Sequence, residues 1–178
     1  MTILESFIQQ HQGRYYSEPV KVTYTDGGNF RHQFEKGQID YLGCSFEFSF
    51  NNGGLGDLII RTKLDQPLTN RFSAYTRAYW GRVFHRLWPN WKYRFPHHIH
   101  QYYQFSGDQN LIQSFRNNQR LMDLMTLTNV CFNNRNTDPI FIKLMPTHGF
   151  QQMGDLELFC QLLLEVKKSI ETIQTKPY

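Results

Sequence analysis

Pro96-His97-His98-Ile99-His100 is the densest group of metal-capable side chains in the chain. An extended backbone sends alternate residues to one face, so His98 and His100 would present two imidazoles together to a divalent ion. A site needs at least a third ligand, and here it would have to come from His85, His32 or His148. No HExxH motif and no nearby cysteine supports the pair, so loop histidines packed among aromatic rings are the simpler reading. No metal and no cofactor is assigned.

Other candidate chemistries are weaker. Asn51-Asn52-Gly53-Gly54-Leu55-Gly56-Asp57 is rich in glycine, but a phosphate loop needs a helix N-terminus after it. Strand patterns lie on both sides, which makes the segment a hairpin turn. Cys44 falls in register with Phe46 and Phe48, and Cys160 lies beside an apolar helical stripe, so both read as core thiols. Cys131 is in register with Asn129 and Asn133, yet no histidine close in sequence would activate it. There is no GxSxG elbow. No catalytic residue is assigned.

A different signal comes from charge. Between Asp65 and Asp108 there is no acidic residue, while the interval holds all three tryptophans and four of the seven histidines. Residues 61–100 carry eight Lys or Arg against one Asp, and the rest of the chain carries eleven against fourteen acids. The formal charge of +4 is therefore local. Arginine pairs with phosphate and stacks on planar groups, and Trp supplies both π-faces and apolar anchors, so the segment suits an interface. The plainest alternative makes Tyr79, Trp80, Val83 and Leu87 the inner face of a helix whose arginines lie in water.

From this follows the expected function: a non-catalytic interaction or binding domain with its surface at about residues 71–103. The residues expected to carry it are Arg77, Trp80, Arg82, Arg86, Trp88, Trp91, Lys92 and Arg94. Alternatives are binding of single-stranded nucleic acid or an anionic surface, and a metal-dependent enzyme with a His-rich site. A protein partner is preferred to nucleic acid, because a pI near 9.0 is only marginally basic.

The elements that must position these residues are legible as periodicity. Residues 2–11 read as a short amphipathic helix ended by Gly13, with Ile3, Leu4, Phe7 and Ile8 on one side. Val20, Val22 and Tyr24 alternate up to the turn Asp26–Asn29, and Phe30, His32 and Phe34 return from it. A second turn is expected over Glu35–Gln38 around Gly37. Cys44, Phe46, Phe48 and Phe50 then oppose Ser45, Glu47 and Ser49, and Leu58–Leu64 follows as the partner strand. Phe72, Tyr75, Tyr79, Val83 and Leu87 fit a helix stopped by Pro89. An edge strand is expected around His100–Phe105, one helix over about 108–126 capped by Asp108, and strands at Asn129–Asn133 and Pro139–Met145. Leu156, Phe159, Leu163, Val166, Ile170 and Ile173 mark a last helix over about 155–173.

The 178 residues are read as one α+β domain, an antiparallel sheet formed by the N-terminal meander plus a C-terminal strand pair, packed on two longer helices. Three cysteines without paired spacing point to free thiols and a reducing, cytoplasmic setting. The N-terminus lacks the basic start and apolar core of a secretory signal, and no apolar run reaches membrane-spanning length. Oligomeric state is not encoded in any of these patterns.

Overall fold

Alternating apolar residues in the first third of the chain do become strands, and the sheet they start is larger than the meander alone. A computed structural model of the chain describes residues 1–25, 28–52, 57–77, 95–134 and 138–175. Helix α1 (Ile3–Gln10) is followed by strands β1 (Arg14–Ser17), β2 (Lys21–Thr25), β3 (Gly28–His32), β4 (Phe34–Tyr41), β5 (Cys44–Asn51), β6 (Asp57–Lys63) and β7 (Phe72–Thr76). Then come α2 (His97–Tyr102), β8 (Tyr103–Gly107), α3 (Gln109–Asn117), α4 (Gln119–Leu127), β9 (Val130–Asn133), β10 (Phe141–Pro146) and α5 (Met153–Gln174).

Eight strands form one antiparallel sheet in the order β1-β4-β5-β6-β10-β9-β7-β8, and among the described residues β2 and β3 form a separate pair. The fold is α+β, with helices packed on one side of the sheet. Phe46, Phe48, Ile60, Leu144, Phe132 and Ala74 point to that side and are buried. The long helix α5 lies at its centre, touching β6 and β10 as well as α1, α3 and α4. Its buried set accordingly extends beyond one stripe, to Leu162 and Leu164.

Several elements differ from the sequence reading. No turn occurs at Gly37, because β4 runs straight through it and reverses at Leu42 and Gly43, whose φ values are 50° and 78°. Gly37 serves a close approach instead: a Cβ there would run into the end of the Ile8 side chain of α1. Phe72–Thr76 is a strand where a helix was expected. The i, i+3 spacing of Phe72 and Tyr75 fits a helix, but Phe72 and Ala74 also alternate inward, and pairing with β8 and β9 decides for β. The rest of that expected helix, after Arg77, lies outside the described residues.

The strand expected from His100 begins three residues later. Pro96 precedes a short helix, and its carbonyl accepts the amides of Ile99 and His100 at 3.0 Å each. The single helix expected over 108–126 is two. Asn118, with ψ at 94°, breaks it, and its Oδ1 accepts the amide of Leu121 at 3.0 Å to start α4. Its Nδ2 donates to Glu165 Oε2 at 3.1 Å and Ser169 Oγ at 3.0 Å, tying the break to α5. Helix α1 ends at Gln10 with His11 as its cap, and the left-handed residue that follows is Gln12, φ 54°, rather than Gly13.

Candidate basic sheet face

The face of the sheet away from the helices is polar, as antiparallel sheets with one solvated side are. Its register aligns it across the whole molecule. Arg14 stands opposite Gln38, Gln38 opposite Glu47, and Glu47 opposite Arg61. Arg61 stands opposite Lys143, Lys143 opposite Asn133, Asn133 opposite Ser73, and Ser73 opposite Ser106. One polar residue from each of the eight strands thus forms a continuous row. With strands about 4.8 Å apart, the row is about 34 Å long.

At its β1 end the row borders a cavity of about 540 Å³ lined by Arg14, Tyr16, Lys36, Glu47, Arg61 and Lys143, among others. Four cations there meet one carboxylate. Arg61 Nη2 pairs with Glu47 Oε2 at 2.7 Å, both side chains well exposed, and the Arg61 guanidinium sits 5.0 Å from the centre of the Phe141 ring. Tyr16, opposite Lys36 in the register, is 58% exposed. Arg61 and Lys143 face each other as like charges, an arrangement that costs stability between neighbouring strands.

At the β8 end the row itself carries no charge. A cavity of about 210 Å³ there is lined by Ser73, Tyr75, Ser106, Asn133 and Asn134, together with Arg71. Ser73 and Ser106 share a hydrogen bond of 2.7 Å. Asn133 is buried, and its Nδ2 has no hydrogen-bond partner among the described residues. A buried donor left without a partner is costly, so this amide is a natural contact for a ligand.

Of the surface expected from sequence, only Arg77 lies among the described residues; Trp80, Arg82, Arg86, Trp88, Trp91, Lys92 and Arg94 lie outside them. Arg77 is half-buried. Its amide donates to Tyr102 O at 2.7 Å, and its Nε donates to the carbonyls of His100 and Tyr103 at 3.1 Å each. The side chain closes the junction between α2 and β8, and burial holds its pKa below the usual arginine value.

His98 and His100 do not share a face. Their helix turns about 100° per residue, which places positions two apart on nearly opposite sides. His98 is exposed and borders a cavity of about 330 Å³ with Tyr102, Tyr103 and Met125, while His100 is buried with its ring nearly perpendicular to that of Phe95, 5.7 Å between centroids. The pairing that an extended segment would have given is therefore corrected. Among the described residues no group of three or more His, Cys, Asp or Glu is arranged to hold a metal ion.

No disulfide joins the three cysteines. Cys44 and Cys131 are half-buried, and burial pushes the Cys160 thiol up, with Glu157 adding to the shift. Among the described residues no helix is long and apolar enough to cross a membrane.

The sequence reading did not find Arg14, Lys36, Arg61 or Lys143. Their signal was the polar half of each alternation, already visible for Glu47 between Phe46 and Phe48. What was missing was register, since nothing in the sequence announces that residues 61 and 143 are neighbours. Comparison with protein-family models, with curated proteins and with solved structures found no match.

Proposed function

We propose that this chain is a non-catalytic binding domain for an anionic macromolecule, with the polar face of its sheet as the principal surface. The observation that carries the reading is the 4:1 excess of cations over carboxylates around the 540 Å³ cavity. Cations gathered in a concave site raise the local concentration of an anionic partner and speed its capture. The basic aromatic segment from Arg77 to Arg94 belongs to the same proposal by its composition, since it adds charge of the same sign.

Immobilised heparin provides a test that assumes no natural partner. The protein should be retained and should elute with salt, and the double variant Lys36→Glu/Lys143→Glu should elute earlier. The double variant Arg82→Glu/Arg86→Glu asks the same of the segment. If the sheet-face variant elutes with the parent, the face is only a solvated surface and the reading is wrong.

A further inference from the structure

Along the eight-residue row, Arg14, Gln38, Glu47, Arg61 and Lys143 form a stretch with three cations against one carboxylate, and Asn133, Ser73 and Ser106 form an amide and hydroxyl stretch. That division matches the two chemistries of a nucleic-acid strand, phosphates along its backbone and hydrogen-bonding edges on its bases. We infer that the occupant of the row is single-stranded nucleic acid, an inference that rests on the binding reading above and specifies its ligand.

Three features support this occupant. Arg61 and Lys143 stand opposed across β6 and β10, with Lys36 and Arg14 bordering the same cavity, so the cationic stretch has no matching number of carboxylates to neutralise it. Phosphate would do so, and would also relieve the repulsion between Arg61 and Lys143. Tyr16 offers an exposed ring beside Lys36, suited to stacking on a base. Asn133 keeps a buried amide donor without a partner among the described residues, at the edge of the second cavity. A base carbonyl can accept from such a donor, whereas phosphate contacts alone would leave the far stretch of the row unused.

The same inventory disfavours a protein occupant. Protein interfaces concentrate aromatic and apolar anchors at their centre and deplete lysine, but the middle of this row is Glu47, Arg61 and Lys143. Length is compatible as well: about 34 Å of sheet lies within reach of the roughly 4–16 nucleotides that one binding fold covers.

The test is fluorescence anisotropy with end-labelled oligo(dT) and oligo(U) of about 16 nucleotides, starting near 50 mM salt. Both strands should bind. With three to four phosphates engaged, log affinity should fall against log salt with a slope of about −2 to −3. Lys36→Glu/Lys143→Glu should weaken binding at least about tenfold and make the slope shallower by about 1.4, the share of two phosphates. Tyr16→Ala should weaken binding about fivefold or more with the slope unchanged, because stacking releases no counterion. Glu47→Gln should tighten it. Thermal melts of each variant establish that the fold is kept.

Retention on heparin without measurable binding of either oligonucleotide overturns the inference and leaves the anionic-partner reading standing. Loss of both overturns both. Binding of a polyglutamate in place of the oligonucleotides identifies an acidic protein as the partner and also overturns the inference. Equal binding of a duplex, indifferent to Tyr16→Ala, reduces the face to unspecific charge and does the same.

Discussion

The two faces of the eight-stranded sheet are made by the same strands, yet they obey different demands. On the helix side, Phe48, Ile60, Leu144, Phe132 and Ala74 succeed one another across the strands with almost no exposed surface. On the other side, the neighbouring positions are Glu47, Arg61, Lys143, Asn133 and Ser73. One face satisfies packing throughout. The other tolerates opposed like charges, which a surface selected for stability alone would avoid.

The comparison can be broken most forcefully from the packed side. Phe132 is fully buried between Phe72 and Phe115, so Phe132→Ala should cost about 3–5 kcal/mol in urea unfolding. A loss well under that would mean the aromatic layer is loosely packed. Gly37→Ala comes next, because the added methyl meets Ile8 and overpacking costs about 1–3 kcal/mol. Shortening the neighbour in Gly37→Ala/Ile8→Val should recover part of it, which a purely conformational effect would not allow.

Tyr103→Phe tests the polar bonds within the packed side. The phenol donates to Thr128 O at 2.6 Å and lies 3.2 Å from Met125 O, so its removal leaves buried carbonyls short of a donor, at about 1–3 kcal/mol. Burial pushes the Tyr103 pKa up to about 12. The folded state therefore holds the phenolic proton more tightly than the unfolded chain. Stability from this group is complete below the ordinary tyrosine value near 10 and is lost as pH climbs toward 12, and the Phe variant should lack that alkaline loss.

Glu165 gives the opposite limb. Burial alone would raise its pKa, but the bonds from Lys168 and Asn118, with the charges of Lys168 and Arg120, outweigh it and leave the carboxyl below its usual value. Its contribution is present above the ordinary carboxylate range and disappears as pH falls through the lowered folded value. Denaturation profiles of Glu165→Gln should therefore fall less steeply on acidification than those of the parent. A parallel acid limb in the two proteins would argue that the tie between α4 and α5 contributes nothing.

The smallest expected effect on stability sharpens the comparison most. Lys143→Glu replaces a like-charge pair with an opposite one beside Arg61, and should stabilise the fold by about 0.2–1 kcal/mol. The same change should weaken retention on heparin. A variant that is less stable and binds equally well would show that the polar face is arranged for the fold and not for a partner.

Legibility in the sequence followed the range of the interactions involved. Helices α1 and α5 and strands β5, β6, β9 and β10 were readable because each carries its own period, as in Phe46-Glu47-Phe48. Asn118 was not readable as a breaker, since its role depends on Glu165 and Ser169 forty-seven and fifty-one residues away. Gly37 looked like a turn because glycine often marks one, whereas the demand comes from a helix nearly thirty residues earlier in the chain. Local periodicity likewise misassigned Phe72–Thr76, where partners on both sides impose the strand. The basic sheet face is the extreme case: every residue in it is ordinary alone, and only the register makes them a row.

The seam between β6 and β10 carries a kinetic consequence. It joins residues 57–63 to residues 141–146, whereas β4, β5 and β6 are consecutive hairpin neighbours. Hairpins form in microseconds, but closing a loop of this size must first lose much chain entropy, so the seam belongs among the late events of folding. Arg61 and Lys143 come together only at that step, and their mutual repulsion opposes it. An anion present during refolding should therefore speed the closure it bridges, and the same anion should slow the seam's parting once the native state has formed.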